Sequence, residues 1–196
     1  MSKYLILGNP YNSPVLKNSP TYRGVQRNFL PQGNEAEDAE RDKAIDFFYD
    51  SISKIDSIVI NNLDLAAQVC KRFNSLGNLT ESFEVVELRD VAELKNIDNF
   101  FLGWDIVGVK ENNSLIAEFL DSDTQSDYNV KDVDNLVTAI RANFGKLLNR
   151  NILFSQLNDA LSFIGCIKEN SILNPSLFTG WVLDSFKPIA VVLQKS

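Results

Sequence analysis

Carboxylates are the side chains through which this sequence could do chemistry. Asp42, Asp46 and Asp50 recur at four-residue steps, which on a helix stacks them along one face. Such a row suits Lys and Arg side chains of another protein; otherwise it is a plain solvated face. A second acidic group, Asp121, Asp123 and Asp127 followed by Asp132 and Asp134, starts like a calcium loop. Ser126 stands where that loop needs its turn glycine, however, and Asp132 stands where a bidentate glutamate would close it, so an exposed polar loop is expected. A third candidate is Asp105, which interrupts an apolar run beside Trp104, with Glu118, Glu84 and Glu87 on other β-rich stretches. Two facing acids can hydrolyse a glycosidic bond or share a magnesium ion, and a carboxylate buried in a strand needs partners. Partly exposed sheet positions are the plainer reading of these acids.

Much chemistry is excluded by composition. The chain has no histidine, which removes the commonest general base near neutral pH and every Ser-His-Asp, Cys-His or HExxH arrangement within one chain. Neither GxGxxG nor GxxxxGK[ST] occurs, so the usual dinucleotide and phosphate cradles are missing. Gly8-Asn9-Pro10 follows an apolar run and reads as a strand-end turn, a weak form of the ligand-binding position of α/β folds. Cys70 and Cys166 are the two cysteines and lie far apart, which excludes a disulfide framework and a Cys-rich zinc module. Each falls on or beside an apolar stripe, so both are read as core side chains. No metal site and no cofactor is expected.

Charge narrows the partners. A formal net charge of -7 and a pI near 4.7 argue against non-specific nucleic-acid binding, which needs a basic footprint. They fit a solvated acidic surface or one that attracts a basic partner. One stretch runs against this trend. Residues 9–34 are rich in Pro, Asn, Ser and Gly and carry Lys17, Arg23 and Arg27, with no acid before Glu35. A loop this long inside a compact domain is unusual. Arg23 and Arg27 are its candidate anion-binding residues; the alternative is that the loop folds back onto the protein's own carboxylates.

The elements that must position these groups follow from periodicity. A length of 196 residues with 44% apolar and 23% charged content suits a single α/β domain spanning 1–196. Lys3–Gly8 reads as a strand. Asn34 with Glu37 is the signature of a capping box, and Ala44, Phe48, Ile52 and Ile55 then make one apolar stripe, predicting a helix over 35–54. Ser57–Ile60, a helix over 65–76 closed by Gly77, and Phe83–Leu88 form a βαβ-sized unit, for which parallel pairing is expected. Phe100–Leu120 alternates apolar and polar residues around the linker 110–113 and predicts a central hairpin, with its first strand inside the sheet because both its faces are apolar. A helical turn is expected within 90–96. Stripes through Val133, Leu136, Val137, Ile140, Phe144, Leu147 and Leu148, and through Leu157, Leu161, Ile164 and Ile167, predict an antiparallel helix pair over 132–150 and 155–168, the second capped by Ser155. Ile189–Leu193 completes a mixed sheet of about five or six strands.

The apolar run from Tyr4 to Leu7 is too short for a signal-peptide core, and no stretch approaches the roughly 18 apolar residues of a membrane span, so a cytoplasmic protein without a membrane or nucleic-acid partner is expected. The expected function is that of an acidic protein-binding inhibitor, such as an immunity protein that neutralises a basic toxin domain, for instance a nuclease. The alternatives are a small carboxylate-dependent enzyme, magnesium-assisted, acting on an anionic substrate, and an accessory subunit that forms a homo-oligomer through an uncovered edge at its apolar tail, Ile189–Leu193.

Overall fold

The computed structural model describes residues 3–9, 34–51, 60–76, 82–94, 100–108, 115–120, 131–178 and 182–194. Four strands, β1 (Lys3–Asn9), β2 (Ser82–Asp90), β3 (Phe101–Gly108) and β4 (Phe186–Leu193), form one sheet in the order β1-β2-β4-β3. Every pairing in it is antiparallel. The class is therefore α/β as expected, but the described sheet has four strands rather than five or six, and it is antiparallel rather than mixed.

The parallel pairing predicted for the βαβ-sized unit is not formed among the described residues. Ile60 exchanges backbone hydrogen bonds of 2.9 and 3.0 Å with Tyr4 in antiparallel sense, while β2 pairs antiparallel with β1 on its other side. Residue 60 and β2 thus run the same way with β1 threaded between them, so the parallel partners do not touch. Residues 52–59 and Gly77 lie outside the described residues. The helix between them, α2 (Leu63–Asn74), is capped by Asn62, whose side chain accepts from the Leu65 N–H at 2.9 Å. Ahead of it, α1 (Glu35–Ser51) starts on a complete capping box. Asn34 Oδ1 accepts from the N–H groups of Ala36 and Glu37 at 3.1 Å, and Glu37 reaches back to the Asn34 N–H at 2.9 Å. Four orphan donors crowd a helix start, and these short polar side chains satisfy three nearby amides.

The central hairpin does not form. Its first half is β3, but Leu115–Phe119 is a short helix, α3. Leu115, Ile116, Phe119 and Leu120 are all buried, a one-and-four spacing that a helix buries on one side; over so short an apolar run the strand and helix patterns coincide. Arg141 of the next helix, α4 (Lys131–Phe144), donates to the Phe119 carbonyl at 3.0 Å, satisfying an open acceptor at the end of α3. Nor is β3 an interior strand. It is last in the sheet, with its outer side bridged by Phe154, and Leu153 of the same turn packs on the face opposite the helices.

Helices cover one face of the sheet in two groups. Over β1 and β2, α1 and α2 bury Ala44, Phe48, Ala66, Val69 and Phe73 against Phe83 and Val85. Over β3 and β4, α3, α4 and α5 (Leu157–Leu173) bury Val137, Ile140, Ala160, Phe163, Ile164 and Ile167 against Trp104, Ile106, Ala190 and Val192. The two later helices meet through Phe144 and Phe163, whose rings lie 5.1 Å apart. The stripe of α5 is shifted from the predicted one: Leu161 is 48% exposed, while Ala160 and Phe163 are fully buried. Gln156, not Ser155, precedes its first turn. The opposite sheet face buries Leu5, Val86 and Val191 together with Leu153. Being flanked by β2 and β3, β4 is interior, so the tail Ile189–Leu193 offers no uncovered edge for oligomer formation. A single turn at Val91–Glu93 matches the helical turn expected there. No helix among the described residues is long and apolar enough to cross a membrane.

Candidate functional site

The acidic row on α1 is the expected group whose geometry is best defined. That helix holds seven acidic and two basic residues, a net -5 of the chain's -7. Both bases are engaged within the helix. Arg41 is buried and pairs with Asp38 at 2.8 Å, and Lys43 pairs with Glu40 at 2.6 Å. Asp42 is half-buried, with Arg41 Nε at 3.9 Å from its carboxylate. Asp46 and Asp50 are exposed. Beside Asp46, three residues on, stands Tyr49, 51% exposed, its ring edge-on to the buried Phe48 at 5.5 Å.

Helix position makes this face unfavourable for folding. The acids of the first turn, Glu35, Glu37 and Asp38, sit at the positive end of the helix dipole and stabilise it. Asp50 and Asp46 lie in and next to the last turn, which contains no base, so they meet the negative end. The adjacent base on α2, Arg72, lies over the Phe47 ring with its guanidinium carbon 3.9 Å from the centroid. A half-exposed tyrosine beside two unfavourably placed carboxylates is a surface suited to a partner offering cationic side chains around an apolar socket. Tyr49 was legible in the sequence, since it falls seven residues after Asp42 and three after Asp46, but a search restricted to charge passes over it.

The other expected site residues are dispersed. Asp132 and Asp134 fall in the first turn of α4; Asp121, Asp123 and Asp127, like Arg23 and Arg27, lie outside the described residues. Asp105 is fully buried in β3, and its Oδ1 accepts from the Ile106 N–H at 2.7 Å. Glu118 belongs to α3 rather than to a strand paired with β3, so the cross-hairpin pair of carboxylates is not formed. Glu84 and Glu87 take opposite faces of the sheet, opposing Leu7 and Tyr4 respectively. On the helical face, Glu87 pairs with Arg89 at 2.6 Å and accepts from Gln194 at 3.1 Å, a neutralised cluster on β2 and the end of β4. Among the described residues no three His, Cys, Asp or Glu side chains gather as metal ligands.

Both thiols are free. Cys70 is buried on α2 and donates to the Phe83 carbonyl at 3.1 Å. Burial pushes its pKa up to about 11, with Glu84 adding to the rise and Asn74 opposing it. Burial also raises Cys166, against a hydrogen bond from Asn170. A thiol that stays protonated is a poor nucleophile, which agrees with the structural role expected of both. The sign of the pH effect follows: above pH 9 the unfolded chain releases the Cys70 proton while the folded one retains it, so stability is lost as pH rises from about 9 to about 11. Chemical denaturation across that window should show a steeper decline for the wild type than for Cys70→Ala; parallel curves would contradict the assignment.

Comparisons with protein-family models, with curated proteins and with solved structures each return no match.

Proposed function

We propose that this protein is an acidic binding protein that neutralises a basic protein partner, and that α1 is its docking face. The observation that supports this reading is the concentration of exposed, dipole-opposed carboxylates around the half-exposed Tyr49. Two like charges at the wrong end of a helix each cost a few tenths of a kcal/mol, a cost that binding offsets. A partner with a positive substrate-binding cleft, such as a nuclease toxin domain, would be attracted over long range and blocked by a carboxylate row that mimics its anionic substrate. An immunity protein working in the cytoplasm is the fitting class.

Reversing Asp46 and Asp50 to Lys separates this reading from that of a solvated face. The expected result is a helix slightly more stable than the wild type, by about 0.3–1 kcal/mol per reversal. The same variant should lose at least about tenfold in partner affinity per residue, about 1.4 kcal/mol each. Capture from the source lysate at low and high salt, followed by calorimetric titration of the captured partner with both proteins, measures this. Undiminished affinity in the reversed variant removes α1 as the docking face, and failure to capture a basic partner at either salt counts against neutralisation itself.

A further inference from the structure

The chain repeats one arrangement in space. Each half opens with a strand, passes through helices and returns by a second strand that pairs antiparallel with the first. These are β1, α1, α2 and β2 in the first half, and β3, α3, α4, α5 and β4 in the second. The sheet order β1-β2-β4-β3 sets the two returning strands side by side and antiparallel at its centre, with the two opening strands outside. Opposed residues of an antiparallel pair exchange places under a local two-fold axis normal to the sheet. The axis through Leu88 and Val191 carries Glu87 onto Ala190, and the outer neighbours of those two residues are Tyr4 and Trp104. Tyr4 and Trp104 are in turn the residues bridged from the far side, by Ile60 and by Phe154.

The correspondence continues along the chain from each bridge. Two residues beyond Ile60 and Phe154 stand the cap positions of α2 and α5, Asn62 and Gln156, and each helix then begins on a leucine, Leu63 or Leu157. The side chains that each helix buries follow at equal steps: Ala66, Val69, Cys70 and Phe73 on α2, Ala160, Phe163, Ile164 and Ile167 on α5. One constant offset relates all of these pairs, although among them only the leucines and Ala66 with Ala160 are identical. Both helix pairs also meet through phenylalanines, Phe48 with Phe73 at 6.2 Å and Phe144 with Phe163 at 5.1 Å. The cores divide along the same line, one over β1 and β2 and the other over β3 and β4. Between them on the helical face the side chains are polar, Glu87 with Arg89 and Gln194. What the halves share is the β2–β4 ladder and, on the opposite face, the patch of Leu5, Val86, Leu153 and Val191.

We infer that the chain is two copies of one strand–helix–strand unit related by this axis, and that the first copy opens as a unit of its own while the second stays folded. Each copy buries its helices on its own pair of strands, so opening one exposes one core and leaves the other closed. The first copy is the weaker. Among the described residues its core holds ten buried side chains against seventeen in the second, and its α1 carries the carboxylates opposed to the helix dipole. When it opens, the second copy loses the ladder to β2 and the cover that Leu5 and Val86 give Val191. It keeps the β3–β4 pairing and the whole of the core beneath α5.

Hydrogen exchange on the full chain, at denaturant concentrations below its unfolding transition, tests the inference. The amides of α2 around Val69 and Phe73 are expected to share one opening and to exchange at least about tenfold faster than those of α5 around Phe163 and Ile167. Exchange of both helices through a single common opening means that the fold has one cooperative unit, and overturns the proposal. Phe73→Ala removes a fully buried ring from the first core alone. It should speed exchange in α1 and α2 by at least about tenfold more and change α5 by less than about twofold. Equal acceleration of α5 has the same overturning force. If Phe73→Ala does not fold, Val69→Ala is a smaller truncation in the same core and carries the same expectation.

Discussion

Phe163→Ala is expected to lower the unfolding free energy by about 3–5 kcal/mol, the largest loss among single truncations in the α5 core. Phe163 is completely buried on the inner face of α5, with the rings of Phe144 and Phe154 at 5.1 and 5.6 Å. It therefore joins three separate parts of the chain: α4, the turn bridging β3, and α5 above the sheet. Removing the ring leaves a cavity lined by side chains that are themselves anchored to a helix, a bridge and strands, so collapse into the space is limited. For a chain of this length the corresponding fall in melting temperature is on the order of 10 °C. Denaturant titration with an unchanged m value would measure it, and a loss below about 1 kcal/mol would mean that Phe144 or Phe154 moves in to fill the gap.

Gly103→Ala should cost about 3 kcal/mol although it adds a single methyl group. Two terms combine. A φ of +148° is strained for any residue with a side chain. The added Cβ also meets the Leu153 Cβ at 2.6 Å and the Phe154 carbonyl oxygen at 3.0 Å, neither of which is the loose end of a flexible side chain, so overpacking adds about 1–3 kcal/mol. Gly165→Ala is the control. It lies inside α5, where an added methyl group would find no heavy atom within 4 Å, and it should stabilise the protein by about 0.5–1 kcal/mol through helix propensity. Thermal melts of the two variants should move in opposite directions. Equal shifts would show that the conformation at Gly103 relaxes freely and that the 148–154 turn is not seated on it.

Much of the fold was legible where the determining contacts are local. The start of α1 is written in Asn34 and Glu37, three residues apart, because a cap is satisfied within one turn; for α2 the sequence offers both Asn62 and Asp64, and the structure selects Asn62. Of the apolar stripe Ala66, Val69, Cys70, Phe73 and Leu76, the first four are buried and Leu76 is half-buried. The apolar patterns in 83–88 and 189–193 give strands for a similarly local reason: side-chain direction follows from the backbone alone. The acidic row at Asp42, Asp46 and Asp50 and its place on one helix face were legible too, as was the absence of histidine chemistry. Finding the neighbouring Tyr49 required the same face to be read for aromatic as well as charged side chains.

Elsewhere local pattern was consistent with more than one structure. Leu115–Leu120 satisfies both a strand's alternation and a helix's one-and-four spacing, and its packing against β3 beside α4 selects the helix. The left-handed residue Ile152 and the shifted stripe of α5 are likewise imposed by what those segments dock against. Sheet order depends on still more distant partners. Arg89 faces Ala190 across the β2–β4 ladder, and Gln194 reaches Glu87 over a separation of 107 residues; nothing within either strand names its neighbour. The amino-acid sequence by itself therefore determined the cap of α1, the element types with strong period, and the acidic face of that helix. Tertiary structure decided that β4 is interior, that β3 is the end strand bridged by Phe154 and that Asp105 is buried there, because those properties belong to pairs of segments and not to either one alone.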